Sequence, residues 1–223
     1  MTILFVAATE FEIGPLRKWL GENFGRKGNS YVKGKLEIQL LVSGVGMVMT
    51  SYNLGRFFMQ NKPSLTINAG VAGAFGDELN IGDVVNVIAD RFADLGVEEA
   101  DGSFTDVHQM GLIPGTEAPF QNGILYNLSA TEHDFLPKVN GITVNKVHGT
   151  ASSIRAIEDK YTPEIETMEG AAFFYACLME DIKFLQIRAI SNQVEPRNKE
   201  NWDLGLAVER LNLVLIELVG ILI

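Results

Sequence analysis

Glu169 lies in Ile165-Glu166-Thr167-Met168-Glu169-Gly170-Ala171-Ala172, where a helix starts beside small residues. A glutamate there can favour the helix dipole from the first turn, or it can sit inside a crowded site and accept hydrogen bonds from a diol. The apolar Phe173-Phe174 that follows makes an unpaired charge costly to bury. Asn192 ends the apolar stretch Phe184 to Ile190. It is either a turn residue or an amide offering a donor and an acceptor side by side. Glu12 follows Thr9 by three residues at the head of a helical pattern, Ile13, Leu16 and Leu20, so a capping box accounts for it structurally.

The elements that must hold these residues alternate. Thr2 to Ala8 reads as a buried strand and Glu10 to Leu20 as a helix. Tyr31 to Lys33 and Leu36 to Val42 form a hairpin around Gly34, and Ser43-Gly44-Val45-Gly46 turns into a helix reaching about Met59. Leu65 to Ala69 is a strand ending in Gly70-Val71-Ala72-Gly73-Ala74, where backbone can approach a ligand closely. Gly82 to Ala89 is a strand. Residues 93 to 123 are long loops that could line or cover a site. Ile142 to Val147 is a strand, Ala151 to Asp159 a helix, Gly170 to Glu180 a helix, Lys183 to Ile190 a strand, and Trp202 to Leu222 a helix that belongs to the core. Alternation of this kind implies one α/β domain over residues 1–223, with a mainly parallel sheet between helices. Ligands then sit beyond the carboxyl ends of the strands. Thr9 to Glu12, Ser43 to Gly46, Gly70 to Gly73 and Ser191-Asn192 all fall at such ends.

Composition narrows the classes. The hydrophobic fraction of 47% and charged fraction of 21% are those of an ordinary globular chain, and the net charge of −10 argues against a nucleic-acid partner. The lone Cys177 excludes an internal disulfide and reads as a small core residue. No run reaches the roughly 18 apolar residues of a membrane span, and the expected location is cytoplasmic. Gly44-x-Gly46 lacks the third glycine of a dinucleotide fingerprint, since Met49 stands there. His108, His133 and His148 are scattered without metal-ligand spacing and read as surface or satisfied core residues.

In order and spacing, Glu10-Phe11-Glu12, Ser43 to Gly46, Ile67-Asn68-Ala69-Gly70-Val71-Ala72-Gly73, Gly82-Asp83-Val84-Val85, Met168-Glu169-Gly170-Ala171-Ala172 and Arg188-Ala189-Ile190-Ser191-Asn192 resemble the nucleoside phosphorylase and nucleosidase superfamily, over nearly the whole chain. The resemblance implies a three-layer α/β phosphorylase/hydrolase-like fold, a twisted central mixed sheet flanked by helices, in a homodimer. It implies that Glu12 activates the attacking water, that Met168 and Glu169 hold the ribose, and that Asn192 binds the five-membered ring of the purine and helps it leave. The backbone at Val71 and Ala72 would lie beside base and sugar. No metal or organic cofactor is implied; the expected partner is a small-molecule purine nucleoside.

The chain departs from the adenine-specific methylthioadenosine and S-adenosylhomocysteine nucleosidases, which carry Asp at the position of Asn192. A carboxylate suits a 6-amino purine. An amide can donate to a 6-oxo group while accepting from a protonated ring nitrogen, and a mismatched buried pair costs roughly 1–3 kcal/mol. The segment Ser191 to Arg197 is similar to the futalosine hydrolase family, which releases hypoxanthine. There Arg197 is a candidate for the substrate-tail carboxylate, against a surface salt bridge with Glu195 or Glu200.

Water is the expected nucleophile. Glu10 and Glu12 at the first strand end would repel phosphate, and Arg17 and Lys18 face solvent. Glu12 is expected as general base, with Glu10 the second choice. The competing readings are an inosine-type phosphorylase, an adenine-specific nucleosidase and a non-catalytic nucleoside-binding module.

Overall fold

The computed structural model describes residues 1–128 and 135–222; His133 lies outside them. The chain begins with β1 (Thr2–Ala7), α1 (Glu10–Asn23), β2 (Gly25–Lys27), β3 (Ser30–Lys33), β4 (Leu36–Val42) and α2 (Met47–Phe58). It continues with β5 (Leu65–Ala74), β6 (Val84–Asp90), β7 (Gly96–Glu98), β8 (Phe104–Asp106), β9 (Leu125–Tyr126) and β10 (Lys138–Thr143). Last come α3 (Ala151–Tyr161), β11 (Ile165–Thr167), α4 (Gly170–Met179), β12 (Phe184–Gln193) and α5 (Leu204–Leu222).

A mixed sheet in the order β11-β10-β6-β12-β5-β1-β4-β3-β2 forms the middle layer, with β9 on β6. β5 pairs in parallel with β1 and β12 and antiparallel with β11. That last pairing closes β11, β10, β6, β12 and β5 into a ring. Ile13, Leu16 and Leu20 of α1 and Leu211, Leu215 and Leu218 of α5 pack over Ile67 and Ile187 on one face. Leu54 and Phe58 of α2 and Phe173 and Phe174 of α4 cover the other. The α/β layering, the β3–β4 hairpin and the core role of α5 are as the sequence implies, and Cys177 is fully buried.

Several boundaries differ. β5 runs on through Gly70 to Ala74, because β12 pairs with all of these small residues and β11 pairs with Gly73 and Ala74 on the other side. β12 likewise passes a bulge between Ile190 and Asn192 and ends at Gln193. Asn192 is therefore a strand residue, not a turn. The strand expected over 142–147 is β10 at 138–143; Lys138-Val139-Asn140-Gly141 lacks an apolar run but is paired with β6 and β11. β11 is too short for periodicity to reveal. Residues 93–123 hold the small β7–β8 hairpin as well as loops. Among the described residues no helix is long and apolar enough to cross a membrane.

Candidate active site

The carboxyl ends of β1, β5, β11 and β12 open into a cleft of about 490 Å³. Glu12, Val71, Ala72, Met168, Glu169, Asn192 and Arg197 all line it, so the residues singled out from the sequence are brought together. No residue of 93–123 is among its lining residues, contrary to the expectation of a cover from that segment.

Glu12 makes the capping box and also reaches the cleft. Its Oε2 accepts from the Thr9 N–H and from Thr9 Oγ1, both at 2.8 Å. Its Oε1 accepts from the Val71 N–H at 3.3 Å. The cap thus fixes the rotamer, and one oxygen is left against β5. Glu10 is turned away in a bidentate pair with Arg17, at 2.6 and 2.9 Å, and does not line the cleft.

Glu169 occupies the N-cap position of α4 but makes no cap bond to its own helix. Instead Oε1 accepts from the Gly46 N–H, at the start of α2, at 2.8 Å. Burial raises its pKa; Arg188 and the Gly46 N–H oppose the rise, and Glu12 adds to it. Asn192 Oδ1 accepts from Ser191 Oγ at 2.8 Å, and its Nδ2 donates to the Gln193 carbonyl at 2.9 Å. Each end of the amide keeps one further hydrogen-bonding capacity.

Arg197 is exposed at the rim, with its guanidinium 5.1 Å from the centre of the Trp202 ring. Its backbone N–H donates to Gly149. The alternative salt bridge is not formed: Glu195 accepts from Asn201 Nδ2 at 2.6 Å, and Arg197 has no ion pair among the described residues.

Sequence reasoning missed other members of this region. Arg188 is fully buried, and its Nη1 and Glu12 Oε1 crowd the α-carbon of Gly70: a Cβ there would fall 2.1 Å and 2.8 Å from them. An arginine inside the run Phe184 to Ile190 is itself a signal, since a charge is not buried without partners. His148 carried no such signal. Its Nδ1–H donates to Glu166, itself a lining residue of the cleft. His108, by contrast, is a satisfied loop residue, with Nδ1 3.0 Å from the Ile113 carbonyl.

The phosphorylase superfamily matches residues 2–220. A futalosine hydrolase from Streptomyces coelicolor (strain ATCC BAA-471 / A3(2) / M145) is 30% identical over 178 residues, covering 77% of this chain and 74% of that protein. A 5'-methylthioadenosine/S-adenosylhomocysteine nucleosidase from Bacillus thuringiensis (strain Al Hakam) is 29% identical over 211 residues, covering 91% and 90%. The solved futalosine hydrolase of Helicobacter pylori strain 26695 shares the fold, with a TM-score of 0.79 at 18% identity over 99% of this chain and 97% of that one. With its match spanning nearly all residues, and with nucleosidases as its relatives, the chain belongs to the phosphorylase superfamily, in the nucleosidase branch.

Proposed function

We propose that this chain hydrolyses the N-glycosidic bond of futalosine and releases hypoxanthine, the whole site being carried by one domain. The observation that carries this reading is an amide, Asn192, in the cleft beside Glu12 and Glu169. As the C–N bond breaks, its electron pair goes to the base, whose five-membered-ring nitrogen takes up a proton from solvent; Asn192 donates to the 6-oxo group while its oxygen accepts from that ring N–H. Glu169 accepts from the sugar hydroxyls beside Met168, which is positioning. Glu12 Oε1 takes the proton of the attacking water. The backbone at Val71 and Ala72 flanks sugar and base, and Arg197, resting on Trp202, meets the carboxylate of the substrate tail.

A homodimer fits the exposed apolar side of α2, where Val48, Met49 and Tyr52 stand near the cleft residue Val45. The proposed setting is the cytoplasm. The test is base release from futalosine, inosine and methylthioadenosine in parallel, with and without phosphate. Release of hypoxanthine from futalosine, indifferent to phosphate, is expected. Release that requires phosphate, or adenine release from methylthioadenosine alone, overturns the reading.

A further inference from the structure

Glu166 is a buried carboxylate of the cleft to which the mechanism above gives no task. It is 4% exposed. Both its oxygens accept from His148: Oε1 from the backbone N–H at 3.1 Å, Oε2 from Nδ1–H. Each carboxylate oxygen retains a second acceptor position. No lysine or arginine pairs with it among the described residues, and a buried carboxylate without a cation needs donors.

Its place in the sheet says which donor. Glu166 on β11 lies opposite Gly73 on β5, and Gly73 lies opposite Asn192 on β12. The three residues share one rung, so Glu166 and Asn192 flank the same point from either side, about 10 Å apart at their α-carbons from twice the strand spacing. A side chain on Gly73 would crowd this point: a Cβ there would fall 2.9 Å from Val194 Cγ2 and 3.1 Å from Asn192 Nδ2. The opening has an amide on one side and an anionic acceptor on the other, and Val147 lines it too.

We propose that Glu166 reads the six-membered edge of the purine by accepting the N1–H of a 6-oxo base, with His148 as the positioning residue that holds its carboxylate. This deepens the assignment of a hypoxanthine nucleoside and rests on it. A 6-oxo purine carries a hydrogen at N1. A 6-amino purine has a lone pair there, which meets the carboxylate with no proton between them. Asn192 tests the 6-position and the five-membered ring, and Glu166 tests N1, so the two together separate the bases at more than one atom.

The experiment measures kcat/KM for futalosine, its 6-amino counterpart and its N1-methyl derivative with the unaltered chain, Glu166→Gln and His148→Ala. Glu166→Gln is expected to lose about 10- to 100-fold on futalosine, with the 6-amino counterpart held or improved. His148→Ala moves the same ratio in the same direction. The unaltered chain is expected to lose a similar factor on the N1-methyl derivative, a measurement that stands even if a variant does not fold. Equal losses on both bases in Glu166→Gln, or unimpaired cleavage of the N1-methyl derivative, overturn the role of Glu166 and leave futalosine hydrolysis standing. Cleavage of the 6-amino nucleoside alone by the unaltered chain overturns both.

Discussion

Glu169 is held in the cleft by the field of Arg188 and by the backbone N–H groups of Gly46 and Met168, against a burial that raises its pKa. The sign of its effect on stability follows. A carboxyl whose folded pKa lies above its unfolded value binds protons more tightly when folded, so its contribution is complete below the unfolded pKa, about 4.3, and is lost as pH rises through the folded value. Glu169→Gln keeps an acceptor for the Gly46 N–H and removes the ionisation. Its Tm is expected to exceed that of the parent at about pH 8 and to converge on it near about pH 4. With the proposed role of Glu169 toward the sugar hydroxyls, KM for the nucleoside is expected to rise in the same variant, because an anionic acceptor is lost. A Tm difference independent of pH would show that the charge is not what strains this position.

Helix α1 presents Glu12, and a side chain from α5 bonds to its backbone at that residue. Pro15 stands inside the helix, where a proline ring crowds the carbonyl four residues back. Leu16 donates its N–H to Asn212 Oδ1 at 2.9 Å, and Asn212 Nδ2 donates to the Glu12 carbonyl at 2.9 Å. The amide of α5 is therefore inserted into the first turns of α1 and fixes the backbone from which Glu12 projects. Asn212→Ala leaves both groups buried and unpaired, at about 1–3 kcal/mol for each, and is expected to lower kcat more than it changes KM. Adding Pro15→Ala gives position 15 an N–H for the Phe11 carbonyl and removes the crowding there, so the double variant should recover stability in denaturant titration. A double variant no more stable than Asn212→Ala alone would sink this account. The start of α1, its cap and the amphipathic α5 were legible in the sequence, because their signals are local. The inserted amide was not, since its partners lie 196 and 200 residues apart. The same limit explains β11 and the far halves of β5 and β12. Small residues such as Gly70 to Ala74 read as punctuation until their pairing with β12, and that of Gly73 and Ala74 with β11, shows them to be strand. Glu12, Glu169 and Asn192 were singled out from strand ends, a helix start and the family resemblance together, and all three line the cleft. His148 and Glu166 could not be paired without knowing that the sheet closes on itself.

That closure has an electrostatic consequence for the molecule as a whole. The chain carries a net charge of −10, yet it buries Arg188 entirely within its sheet. Around that guanidinium stand Glu12, Glu169 and Asp90, the last wholly enclosed and pushed up to about 6 by burial, against hydrogen bonds from Gln186, Thr143 and the Arg91 N–H and against the charge of Arg188. The Nε and Nη2 atoms of Arg188 have no hydrogen-bond partner among the described residues, so its main service here is its charge rather than a set of fixed contacts. Its strand neighbour Gly70 leaves the space that the guanidinium and Glu12 share. Arg188→Met removes the cation and leaves the carboxylates to repel one another. Breaking a buried charge cluster in this way costs about 3–5 kcal/mol. The raised pKa values of Glu169 and Asp90 then rise further, because the positive charge that lowered both is gone. The folded state takes up more protons than the unfolded chain over a wider range, and stability must fall more steeply as pH increases from about 5 to 8. With Glu169 in the proposed role of ionised acceptor for the sugar, the acid limb of kcat/KM is expected to move to higher pH for the same reason. Urea titrations across that range, read beside the pH–rate profile, test both limbs: parallel stability curves for Arg188→Met and the parent, with an unmoved acid limb, would mean that the buried guanidinium does not set the charge state of the cleft.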